Sequence, residues 1–179
     1  ALKHRDGVKT IDLFPEEGKY YHAGHRACRI SWDPQTSADH DHMCPVCGMR
    51  VTDGVLNRIS ETADRDHPNL SQNYQHIIPL KELIAEMHDC GVTTKKVAAD
   101  FVRVINACGP ELPLLINMPI GTIREKGFDA LAHAIDLMRH EDVYVQEGFD
   151  GEFGLVSTRQ VLPGQHKRMM TRLTSATVT

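Results

Sequence analysis

A chain of 179 residues, 41% hydrophobic and 25% charged, is long enough to bury a core and suits one compact domain, or one domain with a small appended module. A net charge of -4 and a pI near 6.3 exclude a uniformly basic nucleic-acid coat but leave room for a local basic face. No apolar run approaches the roughly 20 residues of a membrane span, and Ala1-Leu2-Lys3-His4-Arg5-Asp6 holds no apolar signal core, so the expected location is cytoplasmic.

The chain divides near residue 68. Residues 1–68 are rich in His, Cys, Gly and Asp and poor in long apolar patterns, which predicts a small zinc-ribbon or knuckle-like module. Within it, Asp33 to Met43 reads as an exposed loop, and Arg50 to Gly54 as strand and turn. Residues 69–162 predict a compact α+β domain in the order helix, helix, strand, helix, strand, strand. Pro79 to Met87 forms the first helix, with Leu80, Leu83, Ile84 and Met87 on one face and Gly91 beyond its end. The second runs from about Thr94 to Ala107, capped by Thr93 or Thr94 and stopped by Gly109-Pro110. Leu112-Pro113-Leu114-Leu115-Ile116 is short, apolar and flanked by breakers, so it predicts a buried strand. A third helix spans about Lys126 to Arg139. Val143 to Val145 and Phe153 to Val156 read as strands, joined by a turn at Gly148-Phe149-Asp150-Gly151 with Phe149 and Phe153 buried. Residues 163–179 predict a basic, flexible tail.

Five cysteines, an odd number in a chain of this size, do not make a disulfide framework. Cys90 and Cys108 read as buried small apolar residues near helix ends. Cys44-Pro45-Val46-Cys47-Gly48 is different: two thiolates two residues apart grip one tetrahedral ion from a single tight turn. Gly48 supplies the positive φ that such a turn often needs. His25-Arg26-Ala27-Cys28 repeats the spacing 15 residues upstream, and this donor set favours zinc. His25 is preferred as fourth ligand because its spacing mirrors the second pair; His22 is the alternative, with His40 and His42 also near in sequence. A redox dithiol is the competing reading of Cys44 and Cys47, but it needs a helix start in a βαβ setting. Four protein ligands close the site, so the expected ion is one structural Zn2+ that staples a segment with little core of its own.

Lys19, Tyr20 and Tyr21 precede this site, and Arg26, Arg29, Arg50, Arg58 and Arg65 surround it in sequence. They suit phosphates and unstacked bases. Asp53, Glu61, Asp64 and Asp66 are interleaved with them, so an ordinary solvated face is an equal reading. Asp64, Asp66 and His67 suggest a hard-metal site less strongly than a solvated loop. Asp150 and Glu152 are an acidic pair with nothing nearby to complete a catalytic set.

Taken in order, Phe14-Pro15-Glu16-Glu17-Gly18-Lys19-Tyr20, Gly24-His25-Arg26-x-Cys28, Cys44-Pro45-Val46-Cys47-Gly48, Gly54-Val55-Leu56-Asn57-Arg58, Ala63-Asp64-Arg65 and Ile78-Pro79-Leu80-Lys81-Glu82-Leu83-Ile84 resemble the C-terminal half of the endonuclease Q family. The resemblance covers roughly residues 10 to 160. It implies part of a DNA-repair endonuclease that cuts 5′ of deaminated bases and abasic sites. In that family the hydrolytic metals sit in an N-terminal domain of the polymerase-and-histidinol-phosphatase (PHP) type, followed by a zinc-binding region that helps hold DNA. Only the second part is matched, so the chain alone is not expected to hydrolyse DNA. Its expected partners are DNA, single-stranded or damaged duplex, and a PHP catalytic domain on the same or a separate chain. Lys19, Arg26 and Arg58 are the expected phosphate contacts, with Tyr20 or Tyr21 able to stack on a base. The rival readings are a zinc-stabilised protein-interaction module and a hydrolase that uses the zinc itself.

Overall fold

A computed structural model describes residues 9–65 and 74–159. The expected tail at 163–179, and Asp66 and His67 of the possible hard-metal site, lie outside the described residues.

In chain order the elements are β1 (Thr10–Leu13), β2 (Ala23–His25), β3 (Ile30–Trp32), α1 (Pro34–Asp39), α2 (Val55–Thr62), β4 (Tyr74–Ile77), α3 (Leu80–Met87), α4 (Lys95–Cys108), α5 (Glu111–Ile116), α6 (Ile120–Glu125), α7 (Asp129–Arg139), β5 (Tyr144–Gln146) and β6 (Leu155–Ser157). Among the described residues the strands form three two-stranded ladders, β1 with β4, β2 with β3 and β5 with β6. The architecture is a mixed α+β one: short ladders, a Cys/His cluster toward the N-terminus and a helical region. Among the described residues no helix is long and apolar enough to cross a membrane.

The residues separate into two compact units. One gathers the described residues of Phe14–Tyr74 together with Val145–Val156; the other is built mainly from Gln75–Tyr144. Part of the segment that the sequence assigned to a 69–162 domain therefore belongs with the cysteine-bearing unit.

The helical unit is held by Leu80, Leu83 and Ile84 of α3, Val97 and Val104 of α4, Leu114 and Leu115 of α5, Ile123 of α6, and Leu131, Ile135 and Met138 of α7, all essentially inaccessible. In α3 and α7 these positions recur at three- and four-residue spacing, and in α4 two turns apart, so each of those helices turns one apolar stripe inward. Leu112 to Ile116 is helical, not a strand. Pro110 precedes the first turn, where a missing N–H costs nothing, and the Pro113 carbonyl accepts from Asn117 N–H at 2.9 Å. Five apolar residues between breakers do not distinguish a buried strand from a buried helix turn. The third predicted helix also begins later, at Asp129, after a turn at Gly127 (φ 83°) that separates it from α6. Glu86 is buried on α3, where its carboxylate accepts from Ser157 Oγ at 2.7 Å and from Thr158 Oγ1 at 3.0 Å.

Thr94 is the N-cap of α4: its Oγ1 accepts from Val97 N–H at 3.4 Å. Thr94→Ala is expected to lower stability by about 0.5–1 kcal/mol, with Thr94→Ser close to the parent in urea unfolding. Equal stability of the alanine variant would show that the long cap bond contributes nothing.

Candidate metal centre

Two antiparallel strands begin the site. Ala23, Gly24 and His25 of β2 pair with Trp32, Ser31 and Ile30 of β3, which places His25 at the end of the ladder. A 3-10 turn over Arg26–Cys28 follows and closes with Arg29 in the left-handed region at φ 59°. It returns Cys28 toward the histidine. Gly24 admits no side chain, because a Cβ would stand 2.5 Å from both the Ile30 carbonyl and the Phe149 ring.

Cys44 and Cys47 come from a tight turn. Met49 O accepts from Cys44 N–H and Cys44 O accepts from Gly48 N–H, both at 2.8 Å, and Met43 and Arg50 form a bridge across the base. Gly48 has φ 71°, the conformation expected after the second cysteine. The two ligand-bearing segments are tied together by Gly24 and Thr52, each of which donates to the other's carbonyl, at 2.9 and 2.7 Å. The Asp33–Met43 connection is not a bare loop: Asp33 caps α1 through the Thr36 N–H, and His40 stacks on Trp32 with ring centroids 4.5 Å apart.

This geometry brings His25, Cys28, Cys44 and Cys47 together, one potential donor atom each, all within 4.8 Å of one another. Cys47 Sγ and His25 Nδ1 are 3.4 Å apart. Tetrahedral zinc, with bonds of about 2.3 Å to sulfur and about 2.0–2.1 Å to nitrogen, sets its ligands roughly 3.5–3.8 Å apart, so the cluster fits such an ion. The other histidines are engaged elsewhere: His22 Nδ1 with Ser31 Oγ at 3.3 Å, His42 Nδ1 with Ser37 Oγ at 2.9 Å, and His40 Nδ1 with the Thr36 carbonyl at 2.9 Å.

The electrostatics point the same way. Burial opposes ionisation of Cys44, yet the His25 ring and the Cys47 and Val46 N–H groups outweigh it and hold its thiol at about 6. Burial, together with hydrogen bonds and charge from Cys47 and Cys44, pushes Cys28 to about 12. Thiols this close do not all ionise without a cation among them, and a divalent ion supplies it. The local core is small: Ala23, Cys44 and Val51 are buried, with Cys28, Ile30 and Trp32 against them. A metal crosslink would compensate for that shortage.

The sequence reading missed the part played by Asp150. Its Oδ2 accepts from Arg26 N–H at 2.7 Å and its Oδ1 from Thr52 Oγ1–H at 2.6 Å, so one carboxylate clamps both ligand-bearing segments. Burial would raise its pKa, but these two hydrogen bonds and the nearby His25 and Arg26 keep it below the usual carboxylate range. Asp150-Gly151 was legible as a turn; partners 98 and 124 residues away were not. Phe149 is buried as expected, whereas Phe153 is 45% exposed, contrary to expectation, with the Lys19 ammonium over its ring.

The expected nucleic-acid residues all fall in the cysteine-bearing unit. Lys19 Nζ lies 4.4 Å over the Phe153 ring, Tyr20 is half exposed, and Arg26 stands between His25 and Cys28. Arg58 is on α2, paired with Glu61 at 3.0 Å. Arg29, Arg50 and Arg65 are also paired, with Glu152, Asp53 and Asp64. Cys108 is buried as predicted, while Cys90 is only partly so, its Sγ 3.4 Å from Thr94 Oγ1.

Comparison with known proteins connects this arrangement to others. A family model, the MJ0043 C-terminal domain, matches residues 79–142. The uncharacterized protein MJ0043 of Methanocaldococcus jannaschii is 31% identical over 159 residues, 88% of this chain and 20% of that protein. The crystal structure of the lesion-specific endonuclease PfuEndoQ from Pyrococcus furiosus superposes with a TM-score of 0.73 and 26% identity, over 88% of this chain and 40% of that one. Endonuclease Q in complex with a 27-mer duplex substrate carrying an abasic lesion at the active site matches with a TM-score of 0.69 and 28% identity, over 84% and 38%. The chain thus spans about a fifth of the curated relative and two fifths of the solved enzymes. In sequence and in fold, over most of its own length, it is similar to the C-terminal part of endonuclease Q.

Proposed function

We propose that this chain is the zinc-binding, DNA-engaging region of an endonuclease Q-like nuclease that acts on deaminated or abasic DNA, and that it is non-catalytic without a PHP domain. The observation that carries the reading is the Cys3His cluster, lying within a region similar to an enzyme solved on damaged duplex DNA. His25, Cys28, Cys44 and Cys47 would hold one structural Zn2+, whose chemistry here is to fix four side chains and the backbone between them. Lys19, Arg26 and Arg58 would meet phosphates, with Tyr20 beside them.

Three phosphate contacts imply a salt slope of about -2.7 for duplex DNA, so raising salt from about 50 to 200 mM should weaken binding roughly forty-fold. Fluorescence anisotropy of the zinc-loaded chain on a duplex with one abasic position measures this. Binding that ignores salt, or no binding, would refute the reading. The pairing of Arg29, Arg50, Arg58 and Arg65 with carboxylates favours a second reading, a zinc-stabilised protein-interaction module that docks on a PHP-type or other enzyme. That module predicts tight binding to a protein partner with little salt dependence and no affinity for DNA.

A further inference from the structure

The four side chains of the metal centre are not equally sheltered. Cys44 is 1% exposed and lies in the small core with Ala23 and Val51, and Cys28 is partly buried against that core. Cys47 is exposed, and so are its neighbours from Pro45 to Arg50, with Val46 at 69%. Cys47 therefore meets solvent without any opening of the fold, whereas Cys44 is reached from within the cluster.

The turn that carries Cys44 and Cys47 has its own support. Cys44 N–H donates to Met49 O and Gly48 N–H to Cys44 O, both at 2.8 Å. These bonds hold the pair together whether or not a cation binds. Cys28 stands on a separate segment, joined to this one through the Gly24–Thr52 backbone pair and the Asp150 carboxylate. A sulfur oxidised at Cys47 thus has Cys44 as its tethered partner, across the Pro45-Val46 linkage, the shortest loop available.

We propose that this centre is a peroxide-sensitive redox switch, in which oxidation of Cys47 joins it to Cys44 and releases the ion. The inference rests on the zinc reading above and adds a regulation to it. The Cys47 sulfur attacks hydrogen peroxide: an S–O bond forms, the O–O bond breaks and hydroxide leaves. Peroxide is reduced, and Cys47 becomes a sulfenic acid. The Cys44 sulfur then attacks the Cys47 sulfur, forming the S–S bond and expelling a second hydroxide. Solvent protons convert both hydroxides to water, and the electron pair lost by the sulfurs is the one that peroxide gains. Thiolates are the ligands, so the disulfide removes two of four donors. His25 and Cys28 alone do not hold a tetrahedral ion. Because the local core is small, the cysteine-bearing unit loosens while the helical unit stays folded.

The test treats the zinc-loaded full chain with hydrogen peroxide, follows released zinc with a chromogenic chelator and maps sulfur oxidation by mass spectrometry. About one zinc should be released per Cys44–Cys47 disulfide formed, and dithiothreitol with added zinc should restore the metal and the unit's thermal transition. Cys47→His keeps four donors without the exposed thiol and should slow release by about ten-fold or more. Cys90→Ser, outside the cluster, should match the parent. Zinc retained while the exposed Met43 and Met49 turn to sulfoxide would overturn the inference, as would release with Cys47 still reduced. If Cys47→His does not load zinc, the disulfide map of the parent decides alone. A parent chain without zinc before any peroxide is added would overturn the zinc reading as well.

Discussion

Cys44→Ser is expected to abolish stoichiometric zinc binding and to unfold the cysteine-bearing unit while the helical unit keeps its own transition. Cys44 is the most buried of the four ligands, it belongs to the small core with Ala23 and Val51, and its backbone closes the tight turn through Met49 and Gly48. Serine loses the thiolate and places a hydroxyl in a nearly inaccessible position. Structural zinc contributes apparent binding energies of about 10–16 kcal/mol in small zinc-held folds, as large as the roughly 5–15 kcal/mol stability of an ordinary domain. The loss therefore decides whether this unit folds at all. Elemental analysis with two-probe thermal unfolding checks the result. Cys90→Ser, outside the cluster, serves as the control and should keep about one zinc per chain. Retained metal and an unshifted transition in Cys44→Ser would remove the scaffold role.

Asp150→Ala should produce the next largest effect, about 2–4 kcal/mol in the same unit, with faster release of zinc to a chelator. Two hydrogen bonds to an ionised acceptor are lost together, and with them the connection between the 148–153 turn, the Arg26 turn and Thr52. Asp150→Asn should be milder, near 1 kcal/mol. Its oxygen still accepts from Arg26 N–H, and its amide donates to a Thr52 hydroxyl that can accept instead. Because the folded pKa is depressed, the stabilisation is present at neutral pH and is lost only as pH falls through the folded value, below the ordinary carboxylate range. A chelator-competition rate equal to the parent's in the alanine variant would show that the clamp does not bear on the metal.

What the sequence revealed and what it concealed follow from the range of the interactions. The cluster was legible because its ligands come in two local pairs, and pair spacing constrains a turn directly. The stripes of α3, α4 and α7 were legible for the same reason, since helical periodicity is local. Leu112 to Ile116 was not, because five apolar residues fit either a strand or one helix turn, and Pro110 sets the outcome. α1 went unseen because its six residues bury only Ser37 and leave no apolar stripe. The return of residues 145–156 to the cysteine-bearing unit depends on Asp150 and on Phe149 against Gly24, contacts between residues about a hundred or more positions apart. The pairing of the arginines with acids was half visible, as interleaved charge; which acid each of Arg29, Arg50, Arg58 and Arg65 pairs with required the geometry.

The central claim is that three thiolates and one imidazole close around a single zinc ion. X-ray absorption at the zinc edge, on chain purified without chelator, tests it most directly. The account predicts about one zinc per chain, with three sulfur neighbours near 2.3 Å and one nitrogen near 2.0–2.1 Å. A shell with two sulfurs and bound water, or a chain that carries no zinc, would contradict it.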